Sequence, residues 1–420
     1  MRPRDTQNRV LRSAPAVIVA VACIAFAPPL GVDGRLSHFE YALITLALVL
    51  VLALLHPRRV TQVPVPVFAV ALLALMAAST LWSYSRMDTV RDVLTFAAIA
   101  LAAVILVQIS SVNTLAIGVA LSGVILLGWA LILMVIAPDV VFTAGGALLG
   151  PYGNRNGMAY ALLQSVPAAL GARLVFRLGP AIKAVVVLAL CAGIVATTSK
   201  TSLLVLGLLL AVAFGVAAVR RSRLLGILFG AVALAAVAIG AANFGRILAA
   251  FGKGDTINGR TPIWDALWPL IGQRPLTGYG WSMAWPVQAP PSGDVRWKLH
   301  GVTVYHAHNE LLNWLITTGI PGALLIVALY ALVVWAGIRL FVDTTIVGIA
   351  WISLGALVLI LRGLSDISET LPQGWFVLMI LAAASVRYLP EALERPLPRW
   401  QAFNIRVREP AAAHGNHKQE

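Results

Sequence analysis

The sequence predicts an all-α integral membrane protein with about twelve transmembrane helices and one large outer loop that contains short helices. The first observation behind this is composition: the 420 residues are 60% hydrophobic and only 11% charged, whereas soluble domains average roughly 25% charged residues. The second is the recurrence of apolar runs of about 17 to 25 residues, each long enough to cross a bilayer core. The third is the concentration of Lys and Arg in short segments between these runs.

The predicted spans follow the apolar runs in order, nine within residues 1–242 and three within 322–390. We expect the first to stay as a membrane helix, because the segment after it lacks the small-residue pattern of a signal-peptide cleavage site. Cys23 and Cys191 fall inside spans, where a thiol behaves as a small hydrophobic group, so they indicate neither redox chemistry nor metal binding. The spans lie near 14–30, 39–55, 63–82, 92–109, 113–136, 157–174, 179–198, 201–219, 223–242, 322–341, 345–362 and 371–388.

The distribution of positive charge predicts the orientation. A net charge of +14 occurs in nucleic-acid-binding proteins, but here Lys and Arg are spread over short loops rather than along one soluble face, so we expect no nucleic acid partner. A cytoplasmic N-terminus puts most of them on the inner side, as the positive-inside rule requires. The C-terminus is then cytoplasmic too, and residues 391–420 read as a disordered tail.

The same orientation leaves residues 243–321 outside, as the one long polar stretch between spans. A structureless connection of about 80 residues is unusual in a folded protein. We therefore expect this outer loop to contain short helices and to carry function.

The outer stretch GPYGNRNGMAY, residues 150–160, places Arg155 between two Asn residues just before a span. Arg near the end of a membrane helix commonly extends to the interface as an anchor. A plain anchor and a substrate-binding residue are both open for Arg155.

The stretch VATTSKTSLLVL, residues 195–206, is a hydroxyl-rich connection around Lys200 between two spans. Ser199 or Thr201 can cap the helix that follows, and its N-terminus together with Lys200 would attract an anion. The alternative is a tight helical hairpin with a solvated lysine.

The stretch from residue 257 to 285 predicts an interfacial amphipathic helix that begins near Arg260. Trp264 and Trp268 lie on the face beside the apolar one, at a level that suits the headgroups. Arg274 adds to the basic character of the loop, which would be odd for a mere spacer. The apolar face is formed by Ile263, Leu267 and Ile271.

The stretch VYHAHNELLNWLITTGIPGALL, residues 304–325, predicts a short helix that begins at His308 and ends at a Gly-Ile-Pro-Gly break. A histidine in the first turn feels the positive end of the helix dipole, which favours the neutral imidazole that a general base needs. Alone, such a histidine would more often be a structural residue, but the outer cations favour catalysis. His306 lies off the helix, and we assign it no role. The apolar face after His308 consists of Leu311, Leu312, Leu315 and Gly319.

These residues together suit the transfer of a sugar from a lipid-linked diphosphate. Arg and Lys bind phosphate through charge-assisted hydrogen bonds and can stabilise the charge that develops on a diphosphate leaving group. A base that deprotonates an acceptor hydroxyl gives a single displacement with inversion, since retention calls for a suitably spaced carboxylate pair. The sequence shows no paired acidic motif and no His/Cys cluster of ligand spacing, so we expect no metal and no cofactor.

The segment HAHNELLNWLITTGIPGA resembles a motif of the O-antigen ligase and polymerase family of polytopic membrane glycosyltransferases. His308, Asn309, Gly319 and Gly322 supply its His-Asn, nine residues, Gly-x-x-Gly pattern, and Ala323 stands where the motif usually has Thr. Further similarity lies in GNRNGMAY, in SKTS and in GRTPIWDALWPLIGQRPLTGYG. The resemblance covers residues 150 to 325.

The resemblance implies that His308 is the catalytic base and that Arg260 and Lys200 bind the diphosphate. Members usually have Arg where this chain has Lys200, which keeps the charge but lacks the planar fork. We also predict substrate-binding roles for Arg155, Asn309, Trp264 and Arg274. The implied donor is an undecaprenyl-diphosphate-linked glycan, the acceptor is a lipid, glycan or protein, and the location is the bacterial inner membrane.

Three alternatives to a ligase stay open. A polymerase of the same family would use another lipid-linked repeat as acceptor. A flippase or transporter of a phosphorylated lipid would also need a basic outer cavity, although it should carry charges or broken helices near mid-span. An inert scaffold for polysaccharide assembly would leave the His-Asn and Arg residues without a purpose.

Overall fold

The computed structural model describes residues 3–26, 37–55, 64–222, 224–228, 231, 260–281, 285, 291–342, 348, 350–367 and 370–394. Helices make up most of this part of the chain. It holds no β-strand, only an isolated bridge between Phe142 and Leu148. Short 3₁₀ helices at Ser79–Leu81 and Gly150–Tyr152 accompany α1 (Pro3–Ala25), α2 (His38–Leu54), α3 (Val67–Ala78), α4 (Arg86–Ile109), α5 (Val112–Ile136), α6 (Pro138–Val141), α7 (Arg155–Gly171), α8 (Gly179–Ala196), α9 (Lys200–Arg221), α10 (Arg260–Gln273), α11 (Ser292–Lys298), α12 (Glu310–Val342), α13 (Ala350–Gly363) and α14 (Pro372–Glu394).

The helices are those of a multi-pass membrane protein. Among the described residues, five helices are long and apolar enough to cross a bilayer: α4, α5, α8, α9 and α12. Four apolar stretches are shorter, at Ser13–Ala25, His38–Leu54, Val67–Leu81 and Ala350–Gly363. Large hydrophobic side chains such as Leu131, Val185 and Leu204 are exposed on these helices, as expected of surfaces that face lipid. The all-α class is confirmed, while the number of twelve spans remains a prediction.

Two of the predicted segments fall largely outside the described residues. These are the span at 223–242, of which only 224–228 and 231 are described, and residues 243–259 of the outer loop. The described remainder of that loop contains α10 and α11. Helix α14 extends to Glu394, so the predicted tail begins with a helical turn, and residues 395–420 lie outside the described part.

The centre of the structure is formed by α7 and α14. Every residue from Gly157 to Ala169 and from Gln373 to Ser385 is buried, so both helices are surrounded by protein on all sides. Helix α7 packs against α5, α8 and α13, and α14 packs against α4 and α12. Helix α12 in turn lies against α3 and α13. This arrangement brings the starts of α7 and α12 and the end of α13 within reach of one another.

Helix α12 breaks at Gly319, as the Gly-Ile-Pro-Gly sequence predicts. Gly319 adopts φ 72°, a conformation that suits glycine. The carbonyls of Ile316 and Thr317, left without partners by the break, accept the N–H groups of Tyr279 and Gly280, both at 2.9 Å. On the other side, the N–H of Ile320 donates to Pro275 at 2.7 Å. The loop after α10 therefore satisfies the orphan backbone groups of the broken helix.

A second, smaller hydrophobic core lies outside the main one and holds the outer segment together. It confirms the apolar face of α10 predicted from Ile263, Leu267 and Ile271, all of which are buried. Leu312 and Ile316 of α12, Val295 of α11 and the loop residues Val304 and Ala307 complete it. Residues 304–308 are thus packed between α10 and α12, which fixes where the histidines lie.

Candidate active site

Three cationic side chains converge on one cavity. Arg155 is the first residue of α7 and Lys200 is the first residue of α9, while Arg260 belongs to α10, and all three line the cavity. The backbone N–H groups and the dipole of a helix N-terminus favour an anion. The three predicted cations and the N-termini of α7 and α9 therefore give this cavity a strongly positive character.

The starts of α7 and α9 are joined by hydroxyl and amide side chains. Asn154 caps α7 by accepting the N–H groups of Asn156 and Gly157. Ser199 stands at the capping position of α9, but its hydroxyl donates to Asn156 at 2.9 Å, and no side-chain cap forms. The capping role predicted for Ser199 or Thr201 is therefore wrong. Ser199 instead links the two turns that present Arg155 and Lys200.

A buried ion pair completes the cavity wall. Arg362, at the end of α13, donates from Nη2 to Oδ2 of Asp366 at 2.9 Å, and the two side chains are only 5% and 10% exposed. Arg260 approaches the same oxygen at 3.9 Å. Burial alone would raise the pKa of Asp366, but the charge of Arg362 and the hydrogen bond with His308 outweigh it and hold the pKa well below its usual range. Asp366 is therefore a carboxylate at neutral pH.

His308 lies just before α12, not in its first turn. The helix begins at Glu310, and Asn309 caps it by accepting the N–H of Leu312 at 3.0 Å. The prediction that the helix begins at His308 is therefore wrong, because Asn is one of the best N-cap residues. His308 instead adopts φ 50°, outside helical geometry, and its side chain is 33% exposed.

His308 and Asp366 form a pair that favours one tautomer of the imidazole. Nδ1 of His308 lies 3.3 Å from Oδ1 of Asp366. A carboxylate can only accept a hydrogen bond, so in this pair Nδ1 carries the proton. The free lone pair of the ring is then on Nε2, the atom that can take a proton from a hydroxyl. Asp366 thus stands to His308 as the orienting carboxylate does to the base in many hydrolases.

His306 is adjacent to His308 and neutral. The two ring centroids are 3.9 Å apart. Burial and the neighbouring His308 lower the pKa of His306 to about 4. Its Nδ1 lies 3.8 Å from Asp366 but already accepts the backbone N–H of His308 at 3.3 Å. The approach to Asp366 is therefore not an ion pair at neutral pH.

The cavity has a volume of about 330 Å³ and an unbalanced charge. Its lining contains four cations and, among the lining residues, a single carboxylate. Burial lowers the pKa of Arg260, but a guanidinium remains protonated in proteins. The cavity therefore suits a ligand that carries more than one negative charge. It is lined by Arg155, Asn156, Lys200, Thr201, Arg260, Ile263, His308, Arg362 and Asp366.

Three residues with predicted substrate-binding roles lie off the cavity wall. The Asn309 amide donates to the carbonyl of Leu364 at 3.0 Å. The Trp264 indole donates to the carbonyl of Ala307 at 2.9 Å. The Arg274 guanidinium lies over the ring of Tyr279, 4.8 Å from its centroid. Their contacts in the structure are thus with the protein itself, and their roles in substrate binding remain predictions.

The donor atoms of His306, His308 and Asp366 lie within 4.8 Å of one another, close enough for a divalent cation to bridge them. The surroundings oppose this. Asp366 faces Arg362 and Arg260, whose charges would repel a cation. Nδ1 of His306 is also occupied by a backbone N–H. The chemistry of this group therefore favours a ligand of negative charge over a metal ion.

Arg362 and Asp366 were not among the residues predicted from the sequence, although the sequence contains a signal for both. Arg362 interrupts an apolar run at the end of a predicted span, and an ionisable residue there indicates function or a partner. Asp366 follows four residues later, at the spacing of a helical ion pair. The contact between Asp366 and His308 could not be predicted from local sequence, since 58 residues separate them.

Comparison with known protein families agrees with the geometry. Residues 184–327 match the family model described as O-antigen ligase. Over this segment, about a third of the chain, the protein is similar to the O-antigen ligase family. Lys200, Arg260 and His308 lie inside the matched segment. The matched segment alone does not build the cavity, because Arg155, Arg362 and Asp366 lie on either side of it in the sequence.

A curated relative is the exopolysaccharide production protein ExoQ of Rhizobium meliloti (strain 1021), which is 33% identical over 101 residues. The alignment covers 23% of this chain and 23% of that relative. This chain therefore matches less than a quarter of the relative's length. Both findings are similarities over segments of the chain, one to a family described as O-antigen ligase and one to an exopolysaccharide production protein.

Proposed function

We propose that this protein is a membrane glycosyltransferase of the O-antigen ligase type that moves a glycan from a lipid diphosphate to an acceptor hydroxyl. The observation that carries the proposal is the meeting of four cations with a histidine paired to a carboxylate in one cavity. Undecaprenyl diphosphate is the lipid carrier that the family resemblance implies. The reaction would take place at the outer face of the bacterial inner membrane and would need no metal.

Binding of the donor would depend on the cations. A lipid-linked sugar diphosphate is a diester that carries two negative charges, and the charge on its phosphates grows as the sugar leaves. Arg260 offers a planar fork for two phosphate oxygens, whereas Lys200 acts as a point charge. Arg362 is already paired with Asp366. It therefore adds positive charge to the cavity wall but offers no free fork for phosphate oxygens. The apolar surfaces of the helices would hold the lipid.

The reaction would proceed in one displacement. Nε2 of His308 takes the proton of the acceptor hydroxyl while that oxygen forms a bond to the anomeric carbon. The bond from that carbon to the phosphate oxygen breaks, and its electron pair leaves with the diphosphate, whose charge the cations stabilise. Asp366 stabilises the imidazolium that forms, through the proton on Nδ1. One displacement inverts the anomeric configuration.

A polymerase is the second candidate, with a growing lipid-linked glycan as acceptor. The relative is an exopolysaccharide production protein, which favours a polymerase over transfer to a lipid core. Both reactions would use the same donor site and the same base. They differ only in the acceptor, which approaches His308 from its exposed side.

The test is reconstitution of the full chain in detergent with a lipid-linked glycan and candidate acceptors, in the presence of EDTA. We expect transfer by the wild type, none by His308→Ala, and normal activity of His300→Ala, an exposed histidine on the same outer segment. Analysis of the product separates ligase from polymerase. Full activity of His308→Ala would exclude the proposed base. Movement of the donor lipid across vesicle membranes without any transfer would instead support a flippase.

A further inference from the structure

The backbone at His308 adopts a conformation that needs support. Its φ of 50° lies in the left-handed region, which non-glycine residues adopt at a cost because Cβ approaches the backbone. The conformation directs the imidazole toward Asp366, 3.3 Å away. A relaxed backbone at this position would turn the ring elsewhere, so the contacts that hold the turn matter for catalysis.

His306 supplies one of these contacts. Its Nδ1 accepts the backbone N–H of His308 at 3.3 Å. In an Asx turn, a side-chain oxygen accepts the backbone N–H two residues further along the chain. The turn at His306 has the same arrangement, with an imidazole nitrogen in place of the amide or carboxylate oxygen.

The residue between the two histidines is fixed on both sides. Ala307 is fully buried. Its carbonyl accepts the indole N–H of Trp264 at 2.9 Å, and its N–H donates to Oδ1 of Asn313 at 3.3 Å. Since the peptide groups of Ala307 are held by α10 and α12, His306 is the contact within this turn that acts directly on the N–H of His308.

The protonation of His306 suits this role. Burial and the neighbouring His308 lower its pKa to about 4, so the lone pair of Nδ1 is available at neutral pH. The same lone pair could not accept a backbone N–H if the ring were protonated.

We propose that His306 is a positioning residue for the transfer reaction. It holds the backbone of His308 in the conformation that places the imidazole against Asp366. The inference rests on the proposed function, in which His308 is the base. It assigns to His306 no contact with the substrate, no proton transfer and no metal.

Three substitutions of His306 separate the hydrogen bond from other effects. His306→Asn keeps an acceptor that can form the same turn. His306→Phe keeps a ring against His308 but has no acceptor. His306→Ala removes both. We expect His306→Asn to keep kcat within about threefold, and the other two to lower kcat about tenfold with KM for the donor unchanged, the factor expected for one lost hydrogen bond. His300→Ala serves as the control.

A second measurement does not depend on transfer. In protein labelled with ¹⁵N-histidine, the Nδ1–H tautomer of His308, assigned by its loss in His308→Ala, should be present in the wild type and in His306→Asn. It should be lost or averaged in His306→Phe.

The outcomes distinguish the inference from the proposed function. A wild-type kcat in both His306→Phe and His306→Ala, with His308→Ala inactive, would overturn the positioning role alone. Loss of activity in His306→Asn equal to that in His306→Phe would also overturn it. Full activity of His308→Ala would overturn the proposed function itself.

Discussion

Nδ1 of His308 lies 3.3 Å from Oδ1 of Asp366, a carboxylate that a buried arginine keeps ionised. The two residues that follow His308 also contact the segment around Asp366. The Asn309 amide donates to the carbonyl of Leu364, and the Glu310 carboxylate accepts the N–H of Thr370 at 3.1 Å. The turn before α12 and the segment after α13 therefore form one unit around the proposed base.

Asp366→Asn should lower kcat for glycan transfer by about a hundredfold or more, within the range that a general base contributes. The Asn side chain can present an N–H to Nδ1 and so favour the wrong tautomer of His308. Steady-state kinetics with a purified lipid-linked donor measure the effect. Asp294→Asn, which changes an exposed carboxylate of α11, is the control, and equal activity of both variants would contradict the orienting role.

The effect of substituting a cation of the cavity on donor kinetics should depend on the geometry of the new side chain as well as on its charge. Arg260→Lys loses the planar fork, and we expect it to raise KM or lower kcat about tenfold. Lys200→Arg supplies a fork where the family usually has one, and should keep or increase activity. The measurements are kcat and KM for the donor, with the exposed Lys298→Ala as control. Unchanged kinetics in Arg260→Lys would argue against bidentate binding.

The stability of the folded protein should decrease between pH 6.5 and pH 4. Burial lowers the pKa of His306 from 6.5 to about 4, so the unfolded chain binds more protons in this window and gains stability relative to the folded state as pH falls. The effect has an upper limit of about 3 kcal/mol. The carboxylate of Asp366, whose pKa lies below its usual 3.8, contributes stability above that value and loses it only at lower pH. Its contribution is therefore constant in the upper part of the window and begins to fall only as the pH approaches 4.

Thermal unfolding of His306→Asn in detergent checks this account, with intrinsic tryptophan fluorescence as the signal. Its melting temperature should depend less on pH between 6.5 and 4 than that of the wild type. Parallel curves for the two proteins would show that His306 does not titrate as described.

Gly319→Ala should destabilise the protein. At φ 72°, an added Cβ would lie 2.6 Å from the carbonyl carbon of Leu276 and 2.7 Å from the carbonyl oxygen of Pro275, both backbone atoms that cannot move aside cheaply. We expect a loss of about 2 kcal/mol or more. Gly207→Ala, in open space within α9, should be neutral or stabilising by up to about 1 kcal/mol. Equal melting temperatures would contradict a rigid break.

Local patterns in the sequence predicted those parts of the structure that depend on local physics. The apolar run at 113–136 became α5, and the spacing of Ile263, Leu267 and Ile271 predicted the buried face of α10. The Gly-Ile-Pro-Gly break was predicted for the same reason, since glycine and proline act on the backbone directly. Arg155, Lys200, Arg260 and His308 were each selected from their own stretch, and they line one cavity.

Features that depend on distant partners could not be predicted in this way. Asp366 acquires its role from contacts with His308, Arg260 and Arg362, and no spacing in the sequence connects it to His308. Trp264 was predicted to lie at the membrane interface because tryptophan is common there, but its indole N–H donates to the carbonyl of Ala307. The start of α12 differed by two residues, because Asn309 competes as a cap with any helix that would include His308.

In the proposed mechanism the cations bind the donor while His308 performs the chemistry. Donor affinity and turnover measured in the same preparations of wild type, His308→Ala and Arg260→Ala separate these two roles. We expect His308→Ala to bind the lipid-linked glycan as tightly as the wild type but to transfer none of it, and Arg260→Ala to bind it more weakly. Transfer by His308→Ala at the wild-type rate would show that His308 is not the base.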